Sequence, residues 1–135
     1  MPASRSRGFT LVECAVVLAA VAILAAAVMP GWRGHVLRAA RLDGAQALMR
    51  VQSAQEQHRS RHGLYAGELS ALKGVHPVSD QGRYSLALQL TGPESYLATA
   101  QARGEQAQDR DCPTLTLDVR AGFAQDGPDP RCWNR

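Results

Sequence analysis

The longest pattern in the chain is a nearly unbroken apolar run from Phe9 to Pro30, FTLVECAVVLAAVAILAAAVMP, which carries one charge, Glu13, near its start. About 20 residues at 1.5 Å rise cover the roughly 30 Å hydrocarbon layer, so the run is long enough for a membrane helix. It is longer than the roughly 7–15-residue apolar region of a secretory signal. Pro30 then removes a backbone donor and crowds the preceding turn, and Gly31 and Gly34 weaken the next one. Beyond them Leu37, Ala40, Gly44, Ala47 or Leu48, Val51 and Ala54 recur at three and four residues. Arg38, Arg41, Asp43, Arg50, Glu56 and Arg59 fall largely off that stripe. The spacing predicts one long helix from about Thr10 to about Arg61, bent at Pro30, with an apolar first half and an amphipathic second half.

Gly63 supplies a helix stop, and a short helical turn is expected around Glu68 to Leu72 before a loop through Gly82. Leu64, Tyr65, Leu69, Leu72 and Val75 are the packing candidates there. Tyr84, Leu86, Leu88 and Leu90 alternate with Arg83, Ser85, Ala87 and Gln89, the pattern of a half-buried strand. Thr91 to Glu94 reads as a turn, and Tyr96, Ala98 and Ala100 alternate again, closing a hairpin. Arg103 to Arg110 is polar and aperiodic and reads as a loop. Leu115, Leu117 and Val119 form a third strand, and Phe123 begins a short fourth. The amphipathic half of the helix is the available cover for one sheet face, which makes the class α+β.

Composition narrows the chemistry. The 135 residues allow one membrane segment and at most one modest domain. The net charge is +3, carried almost wholly by arginine, with Lys73 the only lysine. That excess is too small and scattered to imply nucleic acid or acidic lipid as the main partner. No HExxH, GxSxG, P-loop or Cys–His constellation is present, so neither an enzyme nor a cofactor is expected. His58 and His62 have the i,i+4 spacing of a metal pair but no supporting ligands, and Asp126 and Asp129 lack the ordered series of a calcium loop, so no metal is expected. Cys112 and Cys132 form a distal pair in a membrane-anchored domain, which suggests an oxidising compartment and a disulfide, with two unrelated thiols as the alternative. Cys14 lies within the apolar run. Arg5 and Arg7 before the run favour a cytoplasmic N-terminus, but Arg33, Arg38 and Arg41 follow it closely, so charge leaves the orientation open.

The stretch Arg7-Gly8-Phe9-Thr10-Leu11-Val12-Glu13, the apolar helix after it and the placement of Pro30 resemble the N-terminal motif of type IV prepilins. Gly63-Leu64-Tyr65, and Cys112-Pro113-Thr114-Leu115-Thr116-Leu117-Asp118 with Gly122 and Cys132-Trp133, are similar to PilE-like minor pilins. The resemblance implies a type IV pilin fold: a long kinked N-terminal helix on a small antiparallel sheet, with a disulfide-closed C-terminal segment. It divides the chain into a leader (1–8), a transmembrane or filament-core half-helix (9–30), an amphipathic half-helix (31–61) and a head (62–135). It implies cleavage between Gly8 and Phe9 by prepilin peptidase, methylation of the new amine, and a role for Glu13 in subunit recruitment. It implies further partners in other pilin subunits and the inner-membrane assembly platform. It sets the orientation, with the head outside the inner membrane before assembly and on the pilus afterwards. Within that frame a type II secretion pseudopilin and a DNA- or surface-binding pilus adhesin are the rivals. A patch joining Arg83, Arg103, Arg110 and Arg120 would mark the last.

Overall fold

A computed structural model of the chain describes residues 8–134. Helix α1 spans Leu11–His62 and includes Pro30. The chain divides into two compact units, one ending at Gly34 and the other beginning at His35. In the first, the described residues are almost entirely helix, and their side chains are exposed from Phe9 through Trp32. This stretch is apolar and long enough to cross a membrane.

The second unit places the rest of α1 against a four-stranded antiparallel sheet. Strands β1 (Tyr84–Gly92), β2 (Ser95–Ala102), β3 (Thr114–Arg120) and β4 (Phe123–Gly127) lie in sequence order as a meander. Alternation assigns the faces. Tyr96, Ala98, Ala100 and Ala102 of β2 and Leu115, Leu117 and Val119 of β3 are buried under the helix. From α1 come Ala45, Leu48 and Val51, and from the connection Tyr65, Ala66 and Leu72. Tyr65 meets Tyr96 edge-on, with ring centroids 4.9 Å apart. Gly44 sets the spacing between the layers: a Cβ there would lie 2.9 Å from Leu115 Cδ1 and 3.0 Å from the Tyr84 ring.

The helix–sheet arrangement, the turn at Leu69–Ala71 and the fourth strand agree with the expectations from sequence. Several particulars differ. Arg41 and Asp43 are not off the buried stripe but only 5% and 4% exposed, because each finds partners inside. Asp43 Oδ2 accepts from Ser79 Oγ (2.6 Å) and its Oδ1 from the Gln81 N–H (3.2 Å), which folds the loop before β1 onto the helix. Leu64 is 58% exposed rather than packed; Tyr65 and Ala66 take that place. The Ala66 backbone is held by the Gln55 amide, which donates to its carbonyl (2.9 Å) and accepts from its N–H (2.8 Å). The β1–β2 turn is tighter than Thr91–Glu94, since β1 continues through Gly92. The aperiodic stretch after Arg103 contains a 3-10 turn, Gly104–Gln108, because Gln106 is buried and donates to the Leu37 carbonyl and to Tyr84 Oη (both 3.0 Å). A second such turn, Pro130–Trp133, has no periodic signal and is fixed by its contacts.

If Gly44 sets the helix–sheet distance, Gly44→Val should cost about 1–3 kcal/mol through overpacking. Thermal unfolding of the full chain in detergent should show a lower midpoint. An unchanged midpoint would mean that Leu115 and Tyr84 can move aside at no cost.

Candidate functional site

The N-terminal candidates lie at the start of α1. Gly8, Phe9 and Thr10 precede the helix, and the leader through Arg7 lies outside the described residues. The Thr10 hydroxyl accepts from the Glu13 backbone N–H (3.3 Å), and the Thr10 carbonyl accepts from the Cys14 N–H (3.2 Å). Thr10 is thus the N-cap, and Thr10-Leu11-Val12-Glu13 has the T-x-x-E spacing of a capping box. Apolar periodicity does not reveal this cap; the threonine–glutamate spacing does. Glu13 falls in the first turn, where the positive end of the helix dipole favours a carboxylate. The apolar side chains beyond it, Val16, Val17, Val21, Leu24 and Val28 among them, are more than half exposed. A continuous apolar surface of this extent marks a membrane or protein contact.

The other candidates sit in the disulfide-closed end of the second unit. Cys112 and Cys132 are bonded, with Cα atoms 5.6 Å apart. Beside them Arg41 makes a two-pronged ion pair with Asp109, Nε to Oδ2 at 2.7 Å and Nη2 to Oδ1 at 2.8 Å. Its Nη1 donates to the Arg131 carbonyl (3.2 Å). The hydrogen bonds that Arg41 donates to Asp109 raise its pKa despite its burial. Two more contacts seat the terminus: Trp133 Nε1 donates to the Gly127 carbonyl (2.9 Å), and Asn134 Nδ2 to the Arg38 carbonyl (3.2 Å).

The remaining candidates separate. His58 and His62 stack at 4.2 Å, and each Nδ1 sits 3.0 Å from a backbone carbonyl, of Leu64 and His58 respectively. Among the described residues no group of three or more His, Cys, Asp or Glu is placed to hold a metal. Asp129 is taken by Arg131, whose side-chain and backbone hydrogen bonds hold its carboxyl down to about 2. The four arginines form no single patch. Arg83 and Arg103 are adjacent, joined by the Arg103 N–H to the Arg83 carbonyl (2.9 Å). Arg120 stands opposite Ser95, eight residues along β2 from Arg103, or about 26 Å at strand rise. Its guanidinium is paired with Asp118 at 2.7 Å.

Two tests address the closed end. Thiol labelling without reductant should leave Cys112 and Cys132 unmodified, and replacing both by serine should cost about 3 kcal/mol, as a loop of this length implies. Asp109→Asn leaves Arg41 buried without its counter-charge and should cost about 3–5 kcal/mol in a denaturant titration. A loss near zero there would show that water reaches the guanidinium.

Residues 3–29 match the family described as a prokaryotic N-terminal methylation motif. Residues 30–116 match the family described as type IV minor pilin ComP, DNA uptake sequence receptor. No curated protein matches the chain. The second match covers more than half of the chain and takes in the amphipathic half of α1, β1, β2 and Cys112. With an apolar N-terminal helix, a four-stranded antiparallel sheet and a disulfide closing the last segment, the chain belongs to the ComP family of type IV minor pilins.

Proposed function

We propose that this minor pilin is inserted in the inner membrane, cut between Gly8 and Phe9 by prepilin peptidase, methylated on the new Phe9 amine, and drawn into a helical filament. The observation that carries the reading is the methylation motif at residues 3–29, leading directly into an exposed apolar helix. Before assembly that helix is a single membrane span with the head on the periplasmic side. The inner-membrane assembly platform extracts it, and in the filament it packs among the same helices of other pilin subunits. The head then lies on the pilus surface. Pro30 is where the helix bends or opens to fit that packing.

Glu13 has two roles in this mechanism. Its backbone N–H closes the Thr10 cap, and its carboxylate is free to pair with the Phe9 amine of a neighbouring subunit. Such a pair offsets two charges that would each cost several kcal/mol if buried alone, and it fixes axial register. A pilus-associated DNA receptor is the second reading, favoured by the description of the matched family.

Mass spectrometry of the mature chain should begin at a methylated Phe9; an uncut chain sinks the processing scheme. Substitution tests the second role and spares the first, because any residue at this position keeps the backbone N–H that the Thr10 cap uses. Glu13→Gln keeps a capping-box residue but removes the charge. Both Glu13→Gln and Glu13→Ala should insert in the membrane and fail to enter filaments. Normal incorporation of the glutamine variant would leave the carboxylate with only its local helix role.

A further inference from the structure

Tyr84 and Ala102 are cross-strand partners, and both are buried on the helix side of the sheet. Successive residues of a strand face opposite ways, so Arg83 and Arg103, one step further along the ladder, project from the open face. Two like charges directly opposed repel each other. Among the described residues, no ion pair engages either guanidinium, nor that of Arg110, three residues before Pro113, whose carbonyl accepts from the Ala102 N–H (2.8 Å). Two of the acids close by in the chain are committed elsewhere. Asp80 is held by Arg50 (2.8 Å) and Asp109 by Arg41, while Asp111 lines a groove of about 410 Å³ with Arg38, Arg41 and Arg131. Glu105 is the nearby exposed carboxylate left over.

We infer that Arg83 and Arg103 form a phosphate-binding site for the backbone of DNA. The inference rests on the DNA-receptor reading and places its contact surface. Guanidinium forks match phosphate oxygens two at a time. The same face continues with Ser85, Gln101 and Thr114, uncharged groups of the kind that contact phosphate and sugar. Thr114 Oγ1 donates to Gln101 Oε1 (2.8 Å), which orients this polar floor. Contacts of this kind position a duplex by its backbone and carry no sequence information directly. Arg120 takes no part, because it is neutralised by Asp118 at the far end of the sheet.

The test is a titration of the full chain in detergent micelles with a fluorescent mixed-sequence duplex, at roughly 50 to 200 mM salt. Arg83→Gln with Arg103→Gln should weaken binding about tenfold or more and flatten the slope of log K against log salt by about two. The double lysine variant should keep the slope, Arg120→Gln should bind as wild type does, and Glu105→Gln should bind more tightly. An unchanged thermal midpoint and a protected disulfide establish that each variant is folded. If the wild type binds and the double glutamine variant keeps its affinity and slope, DNA docks elsewhere and the site is refuted while the receptor reading stands. If affinity falls without a change in slope, the pair acts on the fold and is not a phosphate contact. If the wild type binds neither duplex nor single strand, the receptor reading falls, and the site with it. A competing signal from acidic peptide or anionic micelles in that last case would reassign the pair to another partner.

Discussion

The second unit depends on how near its helix lies to its sheet, and that distance is set at Gly44. With Leu115 Cδ1 and the Tyr84 ring within 3.0 Å of where a Cβ would lie, any larger residue must push one of those side chains aside. Ala40, Ala45 and Ala47 continue the close face, so the helix meets the sheet largely with small side chains. Close approach has a consequence for the polar residues nearby. Arg41 and Asp43 lie beside Gly44 in sequence and are drawn under with it, out of reach of water. A buried charge is tolerable only when its hydrogen-bonding capacity is met. The fold meets it by bringing irregular segments to the helix: Asp109 and the Arg131 carbonyl to Arg41, Ser79 and Gln81 to Asp43. The loops are therefore ordered by the same contact that builds the core.

Arg41 and the disulfide act on the same stems. Asp109 precedes Cys112 by three residues, and Arg131 immediately precedes Cys132. The guanidinium bonds to both, so it bridges from the helix the two chain segments that the disulfide joins covalently. The disulfide limits the freedom of the unfolded chain, whereas the guanidinium fixes the closed loop on α1. Their contributions are coupled, since an open disulfide would loosen the carbonyl and carboxylate that Arg41 needs. A head this small, with few aromatics, gains more from such cross-links than a larger domain would.

The regular elements were legible because their periods are simple. The 3–4 spacing from Leu37 to Ala54 and the alternation in β1, β2 and β3 are direct images of burial. The cysteine pair was legible by count. What escaped was polar burial. Arg41, Asp43 and Gln106 are residue types that periodicity assigns to solvent, and only partners 22 to 90 residues away reverse that assignment. The Thr10 cap is the reverse case: its signal was local and present, but lay inside a run whose apolar length and prepilin-like motif both point elsewhere.

The same limitation governs how charge bears on function. A net charge of +3 weighs every arginine equally, and on that count a nucleic-acid partner looks weak. Folding sorts the arginines. Arg41, Arg50, Arg59, Arg120 and Arg131 each meet a carboxylate and present little field outward. Arg83 and Arg103 are brought together by strand pairing and meet none among the described residues. Local potential depends on which charges are left unpaired and how close they stand, not on their sum. A modest overall excess is therefore compatible with a concentrated positive site, and pairing status, which only the fold reveals, distinguishes a solvated arginine from one positioned for an anion.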